Sequence, residues 1–310
     1  MRVVVTMTTV PGREDLLIRS CESIIKQTIK PDVIYLTLPK ISRRLYKPYD
    51  EMPEKIKEWC TIVEPDIDYG PVTKIYGGIA MENDPETIII SCDDDVIYPP
   101  TTFECLLEKS KKFPDACICA SGLLIQFGAW FCARYSNLDK HAMLNAFFPP
   151  ITGRKVDLIF GSAGVLYKRR FFPSLEKAID EIFNLSLSDI DILCNDDVLA
   201  SGHLEKNNID RIIFPDFPPV ELIDREGQNP ELALSFDGIK ALNRMGRAIS
   251  KMKALGYFKK YEMVFINETI TYNYAISILT TIVVVILAIV MFLTLYNSSN
   301  TKIFKDVFFV

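Results

Sequence analysis

Three consecutive aspartates, Asp93, Asp94 and Asp95, directly follow an almost wholly apolar stretch at residues 87–92. Carboxylates this close together cannot all stay ionised unless a cation or hydrogen bonds compensate their charge. In open α/β sheets, ligands bind outside the carboxyl ends of the strands. The triad therefore predicts an enzyme in which a divalent metal holds a phosphorylated substrate at a strand end. The alternative is an acidic turn on the surface.

The spacing within the triad indicates which carboxylates would hold the metal. In an extended chain, residues i and i+2 point the same way, so Asp93 and Asp95 can face one cation while Asp94 faces elsewhere. Oxygen ligands together with a diphosphate suit Mn²⁺ or Mg²⁺. We therefore expect Asp93 and Asp95 to be the metal ligands and Asp94 to matter least for the metal.

Two loops carry residues that suit a nucleotide. Residues 8–13 (Thr-Thr-Val-Pro-Gly-Arg) lie between an expected strand and helix, where backbone N–H groups can bind phosphate. Arg13 can fork onto a phosphate or a base carbonyl, although Pro-Gly is also an ordinary turn. Further along, Asp68 can accept from a base or ribose, and Lys74 can neutralise a phosphate. A capped loop with a surface lysine is the alternative there.

Small residues and a second acidic pair follow. Residues 161–164 (Gly-Ser-Ala-Gly) let the backbone approach a ligand closely or simply form a tight turn. Asp196 and Asp197 begin an expected helix, where capping and the helix dipole favour one Asp. The other is then available as a general base for an acceptor hydroxyl. His203, on the same helix, is expected to be a surface or packing residue rather than a metal ligand.

Composition excludes some classes of function. The chain has 310 residues, of which 49% are hydrophobic, enough for one large domain or two small ones. The formal net charge of −5 does not indicate a surface that binds nucleic acid, which would need clustered Lys and Arg. Basic pairs such as Arg43 and Arg44 are interpreted as solvated surface or single phosphate contacts. None of the eight cysteines forms a Cys-x-x-Cys pair, which argues against structural zinc. Most of them lie inside apolar runs, as free buried cysteines do, which favours a reducing compartment.

Strand-like and helix-like stretches alternate along the first 255 residues, which predicts a mostly parallel sheet covered by helices. Strands are predicted at residues 3–8, 33–38, 61–63, 87–92, 116–121 and 211–214. Helices are predicted at residues 13–27, 53–59, 73–81, 100–112, 173–183 and 195–206, with a last one between Ser235 and Gly256.

The C-terminal region carries an uncharged run at residues 275–296. As a helix it would span about 33 Å at roughly 1.5 Å per residue, enough to cross a bilayer; a buried core helix is the alternative. More lysines precede the run than follow it, which places the preceding domain in the cytosol. The predicted organisation is a catalytic domain at 1–255, a juxtamembrane segment at 256–273, a transmembrane helix at 274–296 and a tail at 297–310.

Taken in order, these motifs resemble the GT-A glycosyltransferases. They are the Thr-Thr-x-Pro-x-Arg strand end, Asp-Tyr-Gly-Pro-x-Thr-Lys at 68–74, the strand ending in Asp-x-Asp, the Gly-x-x-Gly segment and the Asp-Asp pair on a helix. The chain looks most similar to the small enzymes of large algal viruses. The resemblance covers roughly residues 1–215 and does not include the apolar run.

The resemblance implies a GT-A Rossmann-like mixed sheet flanked by helices, a glycan or other hydroxyl acceptor, and a UDP-linked nucleotide-sugar donor. Mn²⁺ or Mg²⁺ would bridge Asp95 and the diphosphate, with Asp93 near the ribose or a metal-bound water. Asp197 or Asp196 would lie beside the acceptor. The donor-binding residues implied in this way are Thr8, Arg13, Asp68, Lys74, Asp93, Asp94 and Gly161.

Two other classes of function stay open on the sequence. A sugar-phosphate nucleotidyltransferase is also a metal-using α/β enzyme, but it would want a Gly-rich, basic N-terminal loop in place of residues 8–13. A non-catalytic membrane protein that binds Ca²⁺ or sugars would bind without releasing nucleotide. Turnover of a nucleotide sugar distinguishes the three.

Overall fold

The computed structural model describes residues 1–123, 153–214, 216–223 and 238–259. The chain divides into two units, Met1–Val264 and Phe265–Val310, and every described residue belongs to the first. The predicted transmembrane helix at 274–296 and the tail lie outside the described residues, as does most of the juxtamembrane segment. Within the described ranges, no helix combines the length and apolarity needed to span a bilayer.

Short strands follow one another along the first unit and build a large central sheet. They are β1 (Val3–Met7), β2 (Val33–Thr37), β3 (Ile41–Ser42), β4 (Lys47–Pro48), β5 (Thr61–Val63), β6 (Ile88–Ser91), β7 (Val96–Ile97), β8 (Ala116–Cys119), β9 (Gly122–Leu123), β10 (Arg154–Lys155), β11 (Leu158–Ile159), β12 (Val165–Lys168), β13 (Asp210–Ile213) and β14 (Glu221–Leu222). Eight of them form this sheet, in the order β10-β13-β8-β12-β6-β1-β2-β5.

The helices alternate with these strands. They are α1 (Glu14–Ile25), α2 (Glu54–Trp59), α3 (Thr73–Met81), α4 (Thr102–Lys112), α5 (Leu175–Ala178), α6 (Asn184–Leu187), α7 (Ile190–Leu193), α8 (Asp196–Lys206) and α9 (Gly238–Ala254). A π-helical turn, Ile179–Phe183, joins α5 to α6. Each strand and helix predicted within the first 255 residues is present, with ends shifted by a few residues.

The sheet is mixed. β5, β2, β1 and β6 run parallel to one another, and β8 runs parallel to β13. β12 lies between β6 and β8 and is antiparallel to both. Its first residue, Val165, pairs with Ser91, the last residue of β6. The chain before β12 therefore lies at the edge of the sheet where β6 ends.

Helices cover both faces of the sheet. On one face, α1 and α4 bury apolar residues such as Leu17 and Phe103 against the odd-numbered side chains of β1. On the other face, Gly77 and Gly78 of α3 lie directly on the sheet. A Cβ at Gly78 would be 2.7 Å from Ile89 Cγ2, so a larger residue would push α3 away from the sheet. This close packing fixes the start of α3, which carries Lys74.

Candidate functional site

The aspartate triad lies in the turn between β6 and β7. β6 ends at Ser91, and Asp94 and Asp95 form the turn. The expectation that these residues continue an extended strand is therefore wrong, because the chain turns at Asp94 and Asp95 before it enters β7. Asp94 is 5% exposed, whereas the side chains of Asp93 and Asp95 are 27% and 26% exposed. Asp93 and Asp95 are the more accessible members of the triad.

Polar side chains of α1, and that of Gln27 just after its end, hold this turn in place. Ser20 Oγ donates to the Asp93 carbonyl at 2.8 Å, and Ser23 Oγ accepts from the Tyr98 N–H at 3.0 Å. Gln27 Nε2 donates to the carbonyl of Pro99 at 2.7 Å. All three are buried. Sequence reasoning missed them, although polar residues repeating along the apolar side of a helix were a usable signal.

Arg13 forms the first ion-pair group of the site. Its two terminal nitrogens contact Asp94 Oδ1 at 2.9 Å and Asp95 Oδ2 at 2.6 Å. Thr9 Oγ1 donates to Asp94 Oδ2 at 2.5 Å. Burial raises the pKa of Asp94 to about 7, with Asp95 adding to the rise and Arg13 opposing it. Burial lowers the pKa of Arg13, but the nearby carboxylates outweigh burial and the net shift is upward.

Lys74 forms the second group and joins two parts of the chain. Its Nζ lies 2.8 Å from Asp93 Oδ1 and 2.6 Å from Asp196 Oδ2, and its side chain is 12% exposed. Burial alone would lower the pKa of Lys74, but Asp196, Asp93 and Asp197 hold it well above its usual value. The ammonium is therefore charged at any physiological pH.

Asp196 and Asp197 begin α8 but do not cap it. Asn195, at the N-cap position, makes no capping hydrogen bond through its side chain. Asp196 faces Lys74, and Asp197 Oδ1 accepts from the Gly161 N–H at 3.0 Å. Burial raises the pKa of Asp197 well above its usual range, and repulsion from Asp196 adds to the shift. The two neighbouring carboxyl groups thus have different chemical environments.

Gly161 lies against both charged groups. A Cβ at this position would be 2.9 Å from Lys74 Nζ and 3.2 Å from Asp197 Oδ1. Only a residue without a side chain allows these two groups to approach the backbone so closely. The segment predicted from its small residues is therefore part of the site.

Thr8 and Asp68 are not aimed at the triad. Thr8 Oγ1 donates to the Thr37 carbonyl at 2.7 Å. Asp68 accepts from the N–H of Gly70 at 2.8 Å and of Arg43 at 2.7 Å. The Asp68 carboxylate therefore stabilises the loop that leads into α3. In this way it helps to position Lys74, which lies in the first turn of that helix.

Arg44 is a further basic residue near the site. From the sequence it was interpreted only as solvated surface or a single phosphate contact. It is partly buried, and burial lowers its pKa, with repulsion from Arg13 as the next cause. Attraction to Asp94 acts in the opposite direction. Arg44 therefore lies within electrostatic range of the Arg13–Asp94 pair, and a basic residue in that place suits an anionic ligand.

The site contains more carboxylates than cationic side chains, and ion pairs hold both cations in place. Five carboxylates (Asp93, Asp94, Asp95, Asp196 and Asp197) converge on Arg13 and Lys74. Within the described part of the chain, no three acidic, His or Cys side chains are assembled as a metal cage. Mg²⁺-type ions at phosphate sites use one or two carboxylates and complete their shell with substrate phosphates and water. The accessible Asp93 and Asp95 fit that pattern.

His203 lies on α8 away from this cluster. It is 2% exposed, its ring stacks on Phe172 with centroids 5.5 Å apart, and Nε2 is 3.0 Å from the Phe171 carbonyl oxygen. Burial lowers the pKa of His203. It is a packing residue.

Comparison with known proteins does not assign a family. No protein-family model matches the chain, and no curated protein matches it.

The Arg13–Asp94 pair predicts a pH-dependent loss of stability. Arg13→Met leaves a buried carboxylate without its cation and should lower the free energy of unfolding by about 3–5 kcal/mol at pH 8, measured by urea denaturation. The loss should shrink near pH 5. The pKa of Asp94 is higher in the folded protein than in the unfolded chain, so the proton that neutralises it favours the folded state as the pH falls through 7.

Arg170→Met is the matched control, because Arg170 pairs with the exposed carboxylates of Glu86 and Asp115. Its loss should stay below about 1 kcal/mol. Adding Asp94→Asn to Arg13→Met should recover part of the stability. An Arg13→Met loss equal to that of Arg170→Met would show that the buried pair is not formed.

Proposed function

We propose that this chain is a metal-dependent glycosyltransferase of GT-A type, which moves a sugar from a nucleotide-diphosphate donor to a hydroxyl acceptor. One observation carries the proposal. The carboxylates at the end of β6 face a second acidic pair, Asp196 and Asp197, across the shared ammonium of Lys74. A donor-diphosphate site and a base for the acceptor must be neighbours in such an enzyme, and this arrangement makes them so.

On the donor side, Asp93 and Asp95 would hold Mn²⁺ or Mg²⁺ together with the diphosphate of a UDP-sugar. When bound, the ion supplies Lewis-acid stabilisation of the charge that develops on the leaving nucleotide. Arg13 contacts the triad and Arg44 lies within electrostatic range of it, and guanidinium groups can fork onto phosphate oxygens. Asp94 is buried and paired, so its contribution is to hold Arg13 in place.

On the acceptor side, Asp197 has the properties of a general base. Burial raises the pKa of Asp197, which makes its carboxylate a stronger base. Its hydrogen bond from Gly161 orients one carboxylate oxygen and leaves the other available to an acceptor hydroxyl. Asp196, which pairs with Lys74, would position that ammonium.

The proposal is tested by incubating the purified full chain with a panel of nucleotide sugars and Mn²⁺, and measuring released nucleoside diphosphate. We expect release with at least one donor, its loss on chelation, and a decrease of at least about 10²-fold in Asp95→Ala. Asp115→Ala, which removes an exposed carboxylate elsewhere, is the control and should behave as wild type.

Other outcomes favour the other functions. Release of pyrophosphate from a sugar 1-phosphate and a nucleoside triphosphate would identify a nucleotidyltransferase. Binding of Ca²⁺ or sugar without nucleotide release would indicate a binding protein. Nucleotide release that chelation and Asp95→Ala both leave unchanged would contradict the metal site.

We also propose that residues 274–296 anchor the chain in a membrane with the first unit in the cytosol. The support is the uncharged 275–296 run and the lysines that precede it. On cell fractionation the full chain should sediment with membranes and resist alkaline washing, and deletion of residues 265–310 should release it to the supernatant. A full chain found in the supernatant would contradict the anchor.

A further inference from the structure

The Lys74 ammonium serves two carboxylates that belong to different elements. Asp93 follows β6 and Asp196 opens α8, and each lies within 2.8 Å of Nζ. The backbone of Lys74 is held by a hydrogen bond of 2.5 Å from Thr6 Oγ1 to its carbonyl. The close packing of α3 on the sheet holds it further. Any rearrangement at Lys74 is therefore confined to its long, flexible side chain.

A small cavity lies directly beside this side chain. Its water-accessible volume is about 10 Å³, and its polar lining includes Lys74, Ser91, Asp196 and Asp197. Ser91 is 1% exposed, and its hydroxyl interacts with the hydroxyl of Tyr167 but forms no hydrogen bond of good geometry among the described residues. A buried hydroxyl left unsatisfied is unfavourable. An ammonium, which carries three donors, could satisfy both Ser91 and the Asp197 carboxylate.

A divalent cation at Asp93 and Asp95 would compete with this arrangement. Asp93 Oδ1 is the oxygen that Lys74 contacts, and two like charges cannot share a carboxylate oxygen without strong repulsion. A cation on the other oxygen of Asp93 would also repel the ammonium, so its binding would favour movement of Lys74 away from Asp93. Lys74 would keep its ion pair with Asp196, and the cavity offers Ser91 and Asp197 as further polar partners.

We propose that Lys74 has two positions: on Asp93 while no divalent cation is bound there, and in the cavity against Ser91 and Asp197 once one is. The inference rests on the proposed function, because it takes Asp93 and Asp95 as the metal ligands. Lys74 is then a positioning residue. Cation binding on the donor side would thus change the position of the positive charge beside Asp196 and Asp197. The backbone would not have to move.

The test measures Mn²⁺ affinity of the full chain by electron paramagnetic resonance, with no nucleotide present. Lys74→Met removes the competing cation and should bind Mn²⁺ about tenfold more tightly than wild type. Lys74→Gln, which retains hydrogen bonding, is the second variant in case the first fails to fold. Ser91→Val fills the cavity and removes the receiving hydroxyl, so it should weaken Mn²⁺ binding severalfold.

Lys26→Met is the control, because it removes the same charge from an exposed helix position. It should leave the affinity unchanged. Equal or weaker Mn²⁺ binding by the folded Lys74 variants, or wild-type affinity in Ser91→Val, would overturn the two-position lysine while leaving the metal site intact. Wild-type Mn²⁺ binding that is absent, or that Asp95→Ala does not reduce, would overturn the metal site and the inference together.

Discussion

The site depends on one ammonium group placed between carboxylates that are remote in sequence. Asp93 and Asp196 are brought together by the fold, and two carboxylates so close would repel each other without a shared cation. Lys74 supplies that cation from the first turn of α3. While no divalent cation is bound, this charged ammonium links the end of β6 to the start of α8. The remaining features of the site are arranged around this contact.

The antiparallel strand β12 explains why Gly161 and the Asp196–Asp197 pair lie beside the triad. A purely parallel sheet would carry the chain away from the end of β6, but β12 begins there and pairs Val165 with Ser91. The preceding segment therefore lies beside the triad, and Gly161 reaches the start of α8. The sheet thus places the acidic turn, the small-residue segment and the Asp196–Asp197 pair at one edge.

Local features of the fold were predictable from the sequence, whereas the order of the strands was not. Hydrophobic spacing identified six of the strands and the longer helices because periodicity reports which face each element buries, but β12 was not predicted as a strand. The position of β12 between β6 and β8 depends on pairing between distant parts of the chain, which no local pattern encodes. The turn at Asp94 and Asp95 was missed because the apolar run gave no sign that β6 ends at Ser91.

The sequence predicted which residues belong to the site more readily than it predicted which of them contact one another. Arg13, Lys74 and the two acidic groups do converge, since their residue types and loop positions already pointed to phosphate and metal chemistry. Which carboxylate each cation contacts could not be read from the sequence, because that depends on long-range packing. Asp68 illustrates the difference, since its carboxylate is used by the backbone of its own loop and of Arg43.

The central claim is that the carboxylates at the end of β6 hold a metal–diphosphate unit. A crystal structure of the chain with UDP and Mn²⁺, recorded at the manganese absorption edge, tests it most directly. The account predicts an anomalous peak about 2.0–2.2 Å from carboxylate oxygens of Asp95 and Asp93, with the diphosphate completing the coordination shell. A nucleotide or a manganese peak bound away from this turn would contradict it.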